Sequence, residues 1–294
     1  MSGFGVQVRD LTVRYGSTTA LDAVSFDIQP GAITGLLGRN GSGKTTALSV
    51  LAAFLRKTSG TVLVDGEEPW ENPRVMSGTG LVRESGDVIA ERRISETLRM
   101  VADRRPAYDP TLAEKLLDMF ELDPTTRPYK LSRGKKSAFG VVVGIASRTP
   151  LTLLDEVHLG MDAPSRYAFY DVLLQDWLDH PRTIVLSSHL INEIERLLER
   201  VLVLDRGSVL VQSDADSLRA SGMTVTGASA DVEAFVADRD VVARQRLGST
   251  AQATVVGARP DDERLARESG LELGPVPLQD LFVHLTDPAT EAAR

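Results

Sequence analysis

Val6, Val8, Leu11 and Val13 mark a strand-like stretch that ends at Tyr15 and Gly16. Val24, Phe26 and Ile28 alternate strictly with polar residues, the period of a half-buried strand. Pro30 and Gly31 form a turn pair, and the apolar run 33–37 behind it predicts a short buried strand. A helix is predicted over 43–55 and another strand over 61–64, closed by Asp65 and Gly66. Strand, glycine-rich turn and helix in that order signal an α/β domain.

From about 90 to 147 the pattern changes. Helices are predicted over 94–102, 112–120 and 136–146 with little strand signal between them, which reads as a helical insert. The α/β pattern then resumes, with strands at 151–154 and 183–186 and helices at 164–178 and 190–200. Leu190, Ile194, Leu197 and Leu198 supply one face of the last helix. Strands at 201–204 and 209–211 flank the turn Asp205, Arg206 and Gly207. Beyond Gly222, strands are predicted at 223–226, 241–246, 253–256 and 271–276, and helices at 230–238, 261–268 and 279–285. That order, β-α-β-β-α-β, resembles a split βαβ unit. The expected organisation is an α/β domain over 1–222 with its helical insert, and a small α+β extension over 223–294.

Composition narrows the chemistry. The 294 residues include no cysteine, which excludes disulfides, cysteine–zinc sites and thiol catalysis. No apolar window approaches the roughly 18 residues of a membrane span, and the first residues lack the pattern of a signal peptide. A cytoplasmic protein is expected, reaching a membrane only through a partner. Lys and Arg number 33 against 41 Asp and Glu, a net charge of −8, which argues against sequence-independent nucleic-acid binding.

Residues 38–45 read Gly-Arg-Asn-Gly-Ser-Gly-Lys-Thr and fit the phosphate-binding pattern G-x-x-x-x-G-K-[ST], between a predicted strand and a predicted helix. Glycines let successive N–H groups turn inward toward phosphate oxygens, and the helix adds its positive N-terminal end. The candidate cradle is Gly38, Asn40, Gly41, Ser42, Gly43, Lys44, Thr45 and Thr46, with ATP as the ligand. Lys44 would reach the β- and γ-phosphates and Thr45 would ligate Mg2+. Downstream, Asp155 and Glu156 end an apolar strand. A carboxylate there can hold Mg2+, which suits Asp155, and Glu156 can polarise a water attacking the γ-phosphate.

With these motifs and four more features, residues 4–220 resemble the ATP-binding subunit of an ABC transporter. Leu131, Ser132 and Gly134 match the signature Leu-Ser-Gly-Gly-Gln, whereas Arg133 and Lys135 depart from it and add positive charge. Ser132 can also cap the helix that follows. Ser188 and His189, 34 residues after Asp155, resemble the family's switch histidine, which contacts the γ-phosphate and the attacking water. His158, His180 and His284 gain no such support and read as ordinary surface or capping residues. Asp162 resembles the D-loop aspartate and is also a helix cap. Tyr15 resembles the aromatic residue that stacks on adenine; without the family it reads as a half-buried strand end. Glu84 stands where the family has glutamine. It can ligate Mg2+ but adds negative charge beside the phosphates. Glu84 together with Leu-Ser-Arg-Gly is similar to a bacterial subgroup encoded beside GntR-type regulators.

The resemblance implies a P-loop NTPase (ABC-type ATPase) core. It also implies two chains, of this kind or of this and a homologous ATPase subunit, closing head to tail over two ATP molecules. Ser132 and Gly134 of one would complete the site of the other. The implied partner is an integral membrane permease, docked near the loop after Glu84 and the helical insert, with the chain peripheral on the inner face of the cell membrane. The alternative is a soluble ATP-driven clamp or switch on nucleic acid or ribosomes, disfavoured by the net charge and by the single cassette.

Overall fold

The structure, a computed structural model, describes residues 3–85, 87–257 and 259–286. The chain divides into two compact units at Gln212/Ser213, ten residues before the boundary expected at Gly222.

In the first unit, β1 (Val6–Tyr15) pairs antiparallel with β2 (Thr18–Ile28). β3 (Ile33–Leu37) runs into the motif loop and α1 (Lys44–Leu51), and β4 (Ser59–Val64) pairs with the other edge of β1. The alternation read from Val6, Val8, Val24, Phe26 and Ile28 turns these apolar side chains onto one core with Leu48 and Leu51 of α1. Next come α2 (Pro73–Gly78), β5 (Thr79–Arg83) and the helical insert of α3 (Ile94–Ala102), α4 (Pro110–Met119) and α5 (Arg133–Ala146). The chain continues through β6 (Leu151–Asp155), α6 (Ala163–Asp179), β7 (Thr183–Ser188), the short α7 (Ile191–Ile194), β8 (Arg200–Asp205) and β9 (Ser208–Asp214). The large sheet has the order β5-β6-β7-β3-β8-β9, parallel from β5 through β8. Strands β3, β6 and β7 are buried at every residue, which explains why they are mainly apolar and do not alternate with charged positions. No described helix is long and apolar enough to cross a membrane.

Two helices of this unit stop well short of the predicted ranges. The helix expected over 43–55 ends at Leu51, because Ala53 turns left-handed (φ 58°) and the N–H groups of Phe54 and Leu55 both return to the Ser49 carbonyl. The helix expected over 190–200 is only the single turn α7 and a 3-10 turn. Leu198 packs directly beneath Gly35 of β3, and Glu199 N–H donates to the Ile33 carbonyl, so the chain is already entering the sheet.

The second unit contains α8 (Ala215–Arg219), β10 (Gly222–Ala228), α9 (Ser229–Phe235), β11 (Asp240–Leu247), β12 (Thr250–Val256), α10 (Asp262–Glu268), β13 (Glu272–Gly274) and α11 (Leu278–Leu285). Its sheet has the order β11-β12-β10-β13 with every neighbour antiparallel. It has its own core of Met223, Val225, Val232, Val236, Val255 and Leu271.

Candidate functional site

Register across the parallel sheet assembles the site. Leu37 pairs with Ser188, Ser187 with Asp155, and Asp155 with Arg83. The residues that follow each strand therefore emerge side by side at its carboxyl edge: the motif loop after β3, Glu156 after β6, His189 after β7 and Glu84 after β5. This is the edge at which open α/β sheets bind ligands.

In the loop, Gly41 and Gly43 take left-handed conformations (φ 80° and 106°). A side chain at Gly43 would also collide with Leu21 and the Ala20 carbonyl. Left-handed glycines in a loop that opens a helix favour a nest of backbone N–H groups, a concavity suited to an anion. Lys44 is buried and folds back over its own loop. Its Nζ donates to the carbonyls of Gly38 (2.7 Å) and Arg39 (3.2 Å) and lies 3.4 Å from Glu156 Oε1. Asn40 and Thr45 are exposed, Thr46 is half-buried, and Ser42 Oγ is buried without a partner. Asp155 Oδ1 is likewise buried and unpartnered. Such orphaned oxygens are costly and offer hard donors of the kind Mg2+ takes.

Glu156 adopts φ 52°, an uncommon conformation for a residue of its kind. Its Oε2 meets His189 Nδ1 at 2.9 Å and His158 Nε2 at 3.5 Å. His158 is the correction here. Read from the sequence as a surface or capping residue, it is 2% exposed and stands beside both Glu156 and Ser188 Oγ. Burial, and next the neighbouring His189, push its pKa down to about 4, so the ring is neutral at neutral pH. The only sequence signal was its place two residues past the acid. The backbone there turns tightly, with Leu159 N–H on the Glu156 carbonyl, and brings the ring back.

The signature segment lies on the insert. Ser132 Oγ caps α5 by accepting from Lys135 N–H, and Asp162 caps α6 by accepting from Ser165 N–H at 2.9 Å. Ser132, Gly134, Gly160 and Asp162 line one groove of about 530 Å3. The two cations that depart from the signature pattern have acidic partners, which corrects the expectation of surplus positive charge. Arg133 pairs with Glu84, and Lys135 reaches the Glu121 carbonyl and carboxylate. The departures at Glu84 and Arg133 are thus partners of each other. Tyr15 is 52% exposed at the end of β1, so its ring is free to receive a flat ligand.

A family model described as ABC transporter matches residues 21–158. The chain is 29% identical over 288 residues to the ABC transporter ATP-binding protein YtrB of Bacillus subtilis (strain 168), covering 95% of this chain and 97% of that protein. It is 30% identical to the Nod factor export ATP-binding protein I of Paraburkholderia xenovorans (strain LB400), covering 92% and 93%. The chain belongs to the ABC transporter family. It is an ATP-binding, ATP-hydrolysing subunit that powers transport through a membrane permease. Among solved structures, an ATP-binding subunit of an ABC transporter superposes with a TM-score of 0.65 at 24% identity, covering 73% of this chain and 92% of that one. A dimeric ATP-binding cassette bound to ADP and Pi has a TM-score of 0.62 at 22% identity, covering 71% and 98%. Both likenesses concern the fold of the ABC cassette.

Proposed function

We propose that ATP drives head-to-tail closure of two cassettes, and that Glu156 activates the water that hydrolyses it. The supporting observation is Lys44, a buried cation held against its own loop and Glu156. Phosphate oxygens arriving at the loop amides are better partners for that ammonium than neutral carbonyls. Lys44 then turns to the phosphates and leaves the Glu156 carboxylate for water. His189, on Oε2, orients that carboxylate and meets the γ-phosphate. Tyr15 stacks on the adenine, and Gly38, Asn40, Gly41, Ser42, Gly43 and Thr46 complete the cradle. Thr45, Asp155 and Glu84 are the residues that would hold Mg2+, whose charge neutralises the phosphates. Ser132, Gly134 and Asp162 of the second copy, or of a homologous subunit, close the site from the other side. ATP binds the closed pair better than the open one, and that difference drives closure.

The permease is a separate integral membrane partner docked near Glu84 and the insert, which keeps the chain at the inner face of the cell membrane. Relatives named for Nod factor export favour export as the direction. Nothing observed favours a clamp on nucleic acid or ribosomes. Two variants test the reading. Lys44→Ala abolishes ATP binding. Glu156→Gln keeps binding, stops turnover, and forms an ATP-dependent dimer in light scattering. Wild-type phosphate release from Glu156→Gln would overturn the role given to that carboxylate.

A further inference from the structure

The two oxygens of Glu156 face different surroundings. Oε1 lies 3.4 Å from Lys44 Nζ, whereas Oε2 has His189 Nδ1 at 2.9 Å and His158 Nε2 at 3.5 Å. Glu156, His158 and His189 each bring one ligand atom within 4.8 Å of the others. The two rings stand with their centroids 6.1 Å apart. Ligands bound at roughly 2.0–2.2 Å to a tetrahedral ion stand a little over 3 Å from one another, so small side-chain adjustments suffice. Two imidazoles and one carboxylate are the donor set of a borderline transition ion, while Mg2+ prefers oxygen alone. The set is also held in advance. His158 is locked in the core, and Glu156 is fixed by its backbone turn and by Lys44 on its far oxygen. His189 is the accessible member, with 35% of its side chain exposed, and provides the entrance.

We propose that Glu156, His158 and His189 form a chelating site for a divalent transition ion of the Zn2+ type, and that filling it stops ATP turnover without expelling nucleotide. For ligation His189 carries its proton on Nε2 and presents the Nδ1 lone pair; the ion takes the place of the proton between Nδ1 and Oε2. An ion on Oε2 draws off the carboxylate's negative charge, so Oε1, the oxygen that Lys44 leaves for water, becomes a poor base. The cradle amides and Lys44 are not ligands, so phosphate binding persists. The binding half stands on these three side chains alone; the inhibition half rests on the role given to Glu156 above.

The test uses the untagged full chain without nucleotide, titrated with Co2+ and followed by the visible absorption of tetrahedral cobalt, then with Zn2+ in competition. One ion per chain is expected. His158→Gln and His189→Gln should each weaken binding by at least the roughly 10- to 100-fold that loss of a supporting group costs at metal sites. His180→Gln and His284→Gln should leave binding unchanged. Circular dichroism checks the fold of His158→Gln, and the more exposed His189→Gln carries the same inference if that variant is unstable. Absence of tetrahedral bands, or bands unchanged in both variants, overturns the site. With buffered free Zn2+ and excess Mg2+–ATP, phosphate release should fall in wild type while labelled ATP stays bound. Undiminished release at saturating Zn2+ overturns the inhibition. Turnover by Glu156→Gln overturns the proposed role of Glu156 and leaves the cobalt result standing.

Discussion

Lys44 donates to Gly38 and Arg39 and leans on Glu156, so three groups compete for one ammonium before any phosphate arrives. At the same scale, the contact between Glu84 and Arg133 joins the loop after β5 to the start of α5 across 49 residues of sequence. Both side chains are partly solvated, so the pair is worth about 0.2–1 kcal/mol. A double-mutant cycle with Glu84→Ala and Arg133→Ala, read as ATP affinity and turnover, should show non-additivity of that size, up to about fivefold. Additive effects would mean that the contact is incidental to function. Neither residue type could be matched to the other from the sequence. Each stood out only as a departure from a pattern, because ion pairing between distant segments leaves no local periodicity.

At the scale of elements, α5 and α6 begin at caps legible in the sequence, Ser132 and Asp162. The tertiary structure decides that these helix starts share a groove, with Gly134 set so close to Gly160 that a Cβ would overlap the Gly160 carbonyl oxygen. Gly134→Ala must push the two loops apart, at about 1–3 kcal/mol. ATP binding to the single chain should survive, while ATP-dependent dimerisation of Glu156→Gln weakens by roughly tenfold or more, measured by light scattering. Helix lengths show the same division. The apolar face at Leu190, Ile194, Leu197 and Leu198 has helical spacing, yet Leu198 is needed beneath Gly35, and a packed sheet outweighs the modest preference of a short helix.

At the scale of the whole molecule, each unit has its own core, and the second also buries a charge pair. Arg239 and Asp262, with side chains 4% and 5% exposed, meet at 2.5 Å, and Arg259 N–H donates to the same carboxylate. Burial raises the Asp262 pKa, but the Arg239 hydrogen bond and the Arg259 N–H outweigh it and leave the pKa lowered. The unfolded chain therefore binds this proton first as pH falls. The stabilisation is complete above the ordinary carboxylate value, near 3.9, and is lost as pH drops through the lower folded value. Asp262→Asn should lose about 3–5 kcal/mol at neutral pH, since Arg239 is left buried and unpaired. It should also lack this part of the acid transition. Urea denaturation across pH, followed by circular dichroism, checks both.

Local signals along contiguous residues determined much of this protein unaided. The glycine spacing of 38–45 between a strand and a helix, the acids ending an apolar strand, and the caps at Ser132 and Asp162 are each written within a few neighbouring positions. Turn geometry, side-chain alternation and capping act over that same short range. The tertiary structure alone decided what depends on strand register and on contacts between distant segments. It brought His158 and His189 onto one oxygen of Glu156, set Lys44 on the other, and matched Glu84 with Arg133. Such convergence is created when parallel strands align their ends, and no single stretch of chain carries it.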